Sequence, residues 1–109
     1  MFIAMNRFRV ATGAEAEFEH LWMSRDSQLH TVPGFVEFHM LRGAAKEDHT
    51  LYASHTVWAD KAAFDGWTKS EAFRQAHRNA GGSRPLYLGH PEFEGFEAIQ
   101  TLVPQASAG

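Results

Sequence analysis

Three side chains of different chemistry, far apart in the chain, are candidates for one site: Asn6, Trp67 and His77. Asn6 shares a period-two face with Phe2, Ala4, Phe8 and Val10. An amide on such a face must find a hydrogen-bond partner, either backbone in the core or a ligand in a pocket. Trp67 follows Phe64 by one helical turn. Its indole is either a core aromatic or a rigid wall with one donor for a flat ligand. His77 follows Phe73 at helical spacing. It is either a hydrogen-bonded core imidazole or a neutral ligand for iron, haem iron included.

The rest of the composition narrows the chemistry. The 109 residues contain no cysteine, which excludes disulfides, zinc–thiolate sites, iron–sulfur clusters and thiol nucleophiles. No pair of histidines has the helical HxxxH spacing of a zinc site, and there is no GxSxG, P-loop or dinucleotide fingerprint. The net charge is -3 and the basic residues are scattered, so no nucleic-acid partner is expected. No apolar run is long enough to span a bilayer, and the first residues do not read as a secretory leader. A cytoplasmic protein with no membrane partner is the expectation.

The candidates need elements to position them. Residues 2–10 alternate as a strand, and 14–30 read as an amphipathic helix with Phe18, Leu21, Trp22, Arg25 and Leu29 at helical spacing. Pro33-Gly34 marks a turn. Residues 35–42 alternate again, with Phe35, Glu37, His39 and Leu41 on one face. A polar loop over 43–49 and a strand over 50–58 follow. Asp60 and Ser70 are helix N-caps, so two short helices meeting near Lys69-Ser70 are predicted. A straight helix would place Trp67 and His77 about 15 Å apart along its axis and about 80° apart in direction. The break removes that obstacle to a shared ligand. A loop containing Gly81-Gly82 leads to a last strand over 92–101.

This order is the β-α-β-β-α-β ferredoxin-like plan of the α+β class, with a four-stranded antiparallel sheet. One domain is expected over 1–103, with a flexible tail over 104–109. Helices cover one sheet face. The other carries apolar side chains and needs a partner, most simply a second copy related by two-fold symmetry.

The spacing of Asn6, Trp67 and His77 resembles the Asn-Trp-His triad of the IsdG-type haem-degrading monooxygenases. Thr56-Val57-Trp58, Ala63-Phe64, Trp67-Thr68-Lys69-Ser70, Phe73 and Ala76-His77 resemble that family's central stretch, and Asn6-Arg7 and Gly34-Phe35 fall where its pattern has them. The likeness runs from about residue 2 to 101 and is nearest to the rhizobial HmuQ/HmuD subgroup. It implies a homodimeric α+β barrel of the antibiotic biosynthesis monooxygenase type, with one haem pocket per subunit. Haem would be both substrate and cofactor, with O2 and an external electron donor, from a reductase or a small reductant. The products would be iron and a biliverdin-type tetrapyrrole. His77 would be the metal ligand, Asn6 a distal hydrogen-bond donor, and Trp67 a press on the porphyrin. Phe8, Trp22 and Phe64 are expected on the pocket wall, and Arg25 and Arg84 at the propionates. Trp22 departs from the smaller aromatic frequent in the family. Two rival functions stay open: a cofactor-free monooxygenase of an aromatic small molecule, and a non-catalytic haem store or carrier.

Overall fold

The computed structural model describes residues 1–25, 28–71, 73, 74 and 86–104. Strand β1 (Phe2–Ala11) leads to helix α1 (Glu15–Ser24), then β2 (Phe35–Ala45), β3 (His49–Trp58), helix α2 (Lys61–Thr68) and β4 (Glu92–Glu97). All pairings are antiparallel, in the order β2-β3-β1-β4. This is the expected α+β ferredoxin-like arrangement. None of the described helices is long and apolar enough to cross a membrane.

One-sided burial makes β1 a strand. Phe2, Ala4, Phe8 and Val10 are buried, while Arg7 and Arg9 on the alternate face are exposed. The register aligns Phe2, Ala4, Asn6, Phe8 and Val10 with Trp58, Thr56, Ser54, Tyr52 and Thr50 of β3. The core on this face is in two parts. Phe8, Val10, Ala14, Phe18, Tyr52 and Leu86 form one cluster, and Phe2, Ala4, Trp58 and Trp67 form the other. Asn6 and Ser54 occupy the row between them.

Several boundaries differ from the sequence expectation. The helix predicted over 14–30 stops at Ser24, and Arg25 continues in extended backbone. The Ser24 hydroxyl bonds back to the carbonyls of His20 and Leu21, at 2.8 and 3.2 Å. Such bonds compete with the next helical turn. Leu29–Thr31 form a separate 3-10 turn. The polar loop predicted over 43–49 shrinks to 46–48, because the Lys46 N–H reaches the His49 carbonyl at 2.6 Å and closes the hairpin. A bulge follows Phe35, where the partners step from Phe35–Trp58 to Glu37–Val57. Phe35 therefore joins the face of Phe38 and Met40 rather than that of Glu37 and His39. The last strand ends at Glu97, because its partner strand begins at Phe2; the Ala98 N–H takes the Met1 carbonyl at 2.9 Å.

Helix α2 starts where Asp60 accepts the Ala63 N–H at 2.8 Å. It packs against the turn at Gly34, whose φ of 85° suits glycine and whose missing Cβ leaves room for the Ala63 methyl. After Thr68 the chain breaks at Ser70. The Ser70 hydroxyl donates to the Trp67 carbonyl at 2.6 Å and accepts the Phe73 N–H at 3.1 Å. Residues 71, 73 and 74 are helical again. The predicted junction is thus a serine that closes one helix and caps the next turn.

Candidate active site

A cavity of about 450 Å³ opens between the helices and the sheet, bounded by the two halves of the core. That is within the range of ordinary small-molecule sites, roughly 300–1,000 Å³. Ala4, Asn6, Ser54 and Thr56 form its sheet floor, and Phe38 and Phe93 flank the floor on the outer strands. Trp67 and Phe64 come from α2, Trp22 from α1, and Phe73 from the turn that Ser70 caps.

The walls are built from aromatic contacts. Trp67 lies nearly parallel to Trp58, with ring centroids 6.4 Å apart and planes 28° apart. It meets Phe73 edge-on at 5.4 Å. Phe64 stacks on Phe93 at 5.6 Å with planes 10° apart. Trp67 is therefore both a core residue and part of the cavity wall.

The polar groups sort into used and free. Thr56 donates to the Ala4 carbonyl at 3.4 Å, and Thr68 donates to the Asp65 carbonyl at 2.9 Å. The Asn6 amide, the Ser54 hydroxyl and the Trp67 indole N–H make no hydrogen bond among the described residues. Among the described residues, Asn6 makes no side-chain bond to backbone. Arg25 is the one charged residue among the described lining residues. Its guanidinium sits 3.8 Å over the Trp22 ring. Burial lowers its pKa, and Tyr87 opposes that shift. It stays a cation at any physiological pH.

Of the expected wall residues, Trp22 and Phe64 line the cavity, as do Arg25, Asn6 and Trp67. Phe8 does not. It points from the same face of β1 but is buried in the core, where it supports Trp22 edge-on at 5.8 Å. Its row of the sheet lies under α1, while the cavity lies over the row of Asn6. His77 and Arg84 lie outside the described residues. Sequence reasoning missed Ser54, Phe38, Phe73 and Phe93 as lining groups. Phe73 carried a signal, because it shares a helical stripe with the His77 position. Ser54 carried none until the strand register placed it opposite Asn6.

The chain's relatives fit this geometry. Residues 1–79 match the family model described as antibiotic biosynthesis monooxygenase. A heme-degrading monooxygenase of Bacillus thuringiensis (strain Al Hakam) is 33% identical over 81 residues, covering 74% of this chain and 75% of that one. Among solved structures, the heme-degrader MhuD of Mycobacterium tuberculosis, with two hemes in its active site, matches at a TM-score of 0.73 and 25% identity, covering 94% of this chain and 100% of that one. SnoaB of Streptomyces nogalater, a cofactor-independent oxygenase, matches at a TM-score of 0.70 and 32% identity, covering 93% of this chain and 95% of that one. A matched model over most of the chain, on the fold and cavity just described, establishes that the protein belongs to the antibiotic biosynthesis monooxygenase family.

Proposed function

We propose that this monooxygenase-family protein degrades haem, with Asn6, Trp67 and His77 as its working residues. The observation that carries the reading is the Asn6 amide, without a hydrogen-bond partner among the described residues, on the floor of a cavity with flat aromatic walls. The match to a heme-degrading monooxygenase at 33% identity supports the same reading. The residues present fit a porphyrin: Trp67, Phe64 and Trp22 offer apolar ring faces, and the free polar groups among the described lining residues are Asn6 and Ser54 on the floor, the Trp67 indole N–H and Arg25.

When bound, haem supplies the iron at which O2 is reduced and the macrocycle that is oxidised. His77 would hold that iron through a neutral ring nitrogen, so acid would weaken binding. Asn6, on the cavity floor, would donate a hydrogen bond to oxygen held there. Trp67, backed by Trp58, would set an indole face against a flat ligand. Arg25 faces the cavity as a cation for one propionate, and Arg84 is the candidate for the other. Electrons come from an external donor. A second copy of the chain covers the open sheet face, where Ile3, Met5, Leu41, Leu51 and Phe96 present apolar side chains.

Haemin titration of wild type and His77→Ala tests ligation, and an unchanged Soret spectrum in the variant rules it out. In Asn6→Ala, haem uptake is expected to persist while ring opening slows by at least about tenfold, since a single well-placed donor is worth that much. A full rate would remove Asn6 from the mechanism. A cofactor-independent oxidation of a flat aromatic molecule is the second reading, favoured by the 32% identity to SnoaB. Failure of the wild-type protein to take up haemin would select it. Haemin uptake without bleaching under ascorbate and air would instead leave a haem store or carrier.

A further inference from the structure

We propose that Ser54 is a second polar group of the site, and that Asn6 and Ser54 act as one hydrogen-bonding pair holding a single oxygen atom. That atom belongs to a water in the empty cavity, and to O2 or a small anion when one enters.

The two residues face each other directly across β1 and β3. Directly opposed side chains on one sheet face have Cβ atoms about 4.5–5.5 Å apart, a span that one shared oxygen atom can bridge. The complete row across the sheet reads Met40, Ser54, Asn6, Phe93. Apolar side chains therefore close the pair on both sides along the row, and the two core clusters close it above and below. Ser54 is only 5% exposed, and a buried hydroxyl left without a partner is destabilising. Its neighbour Thr56 escapes that cost by bonding to the Ala4 carbonyl. Ser54 makes no such bond among the described residues. Unlike the sealed indole N–H of Trp58, which has no partner among the described residues, the Ser54 hydroxyl borders open cavity space. A roomy polar spot with two or more partners is where a water is retained.

Asn6 supplies two N–H donors and one carbonyl, and Ser54 supplies a hydroxyl that both donates and accepts. Together they can satisfy a water, then donate to an incoming oxygen that accepts. Ser54 thereby sets where on the floor the oxygen rests, and Asn6 alone would leave it free to swing.

The inference uses the haem reading for only one arm of its test. In the ligand-free protein, a high-resolution crystal structure is expected to contain an ordered water within about 3.2 Å of both Ser54 Oγ and the Asn6 side-chain amide. Ser54→Ala is expected to lose that water. In haemin-loaded protein, Ser54→Ala should weaken azide binding to the ferric form about fivefold. Ser54→Thr, which keeps the hydroxyl, should restore most of the azide affinity. The combined Asn6→Ala, Ser54→Ala variant should lose less than the two single losses multiplied together. An absent water in wild type, or azide affinity unchanged in Ser54→Ala, overturns the pair. If wild-type protein takes up no haemin, the haem reading fails, and the water alone decides the pair.

Discussion

Trp22 stacks on Phe38 with ring centroids 6.0 Å apart and planes 16° apart, and this pair is the wall between two hollows. Both residues line the main cavity, and both also line a second hollow of about 420 Å³ that reaches Met40, Arg42 and Tyr52. The indole is held from behind by Phe8 and from above by the Arg25 guanidinium. Trp22→Ala should join the hollows and remove a ring face from the ligand, weakening haemin binding about tenfold. Trp22→Phe keeps a ring in place and should cost under about threefold. Soret titration reads both. Equal affinity in all three proteins would show that the ligand never touches this wall.

Ser70 joins Trp67 to Phe73 through one hydroxyl. Ser70→Ala removes the acceptor that Ser70 gives the Phe73 N–H and one of the donors to the Trp67 carbonyl, which keeps the Ser70 backbone N–H at 3.0 Å. Loss of an N-cap of this kind costs about 1 kcal/mol. A fall in Tm of several degrees is expected from thermal melting, the usual response of a domain this size to such a loss. The edge-on contact of Phe73 with Trp67 should loosen as well, visible as a shift in tryptophan fluorescence. Ser70→Asp keeps an acceptor for the Phe73 N–H and should hold the Tm near that of wild type. A Tm unchanged in Ser70→Ala would mean the junction is set by packing alone.

Much of the arrangement was legible where a local pattern has one physical outcome. The alternation of Phe2, Ala4, Phe8 and Val10 reports one-sided burial, and Asp60 and Ser70 report helix starts, because each effect acts within a few residues. Arg25 was misplaced because helical spacing continues through it, while the back-bonds of Ser24 end the helix. Phe35 was put on the wrong face because a bulge leaves the residue types unchanged and shifts the phase. Phe8 and Asn6 look alike by alternation. Which of them borders a cavity depends on where α1 and α2 settle over the sheet, and that is decided by contacts between distant segments. Ser54 needed the pairing register for the same reason.

Two carboxylates tie α1 to the sheet and make the fold sensitive to acid. Glu15 bonds to the Gly13 N–H at 2.7 Å and to the Thr50 hydroxyl at 2.9 Å. Its pKa is lowered, first by its own backbone N–H, then by Thr50 and Gly13. Glu19 accepts the Tyr52 hydroxyl at 2.5 Å and Arg42 Nη1 at 3.0 Å. Its pKa is lowered chiefly by Tyr52, with Arg42 adding to the effect and burial opposing it. A carboxylate held below its unfolded value stabilises the folded state fully above that value, about 4.3 for glutamate. The contribution is lost as pH falls from there through the folded pKa. Thermal melts should therefore show stability declining below about pH 4.3 in the wild type. Glu15→Gln with Glu19→Gln should lower the Tm near pH 7, and the gap to wild type should close as pH falls. The shift should be modest because both groups are in contact with water. A gap that stays constant down to about pH 3 would mean that the loss comes from packing and not from the charged form.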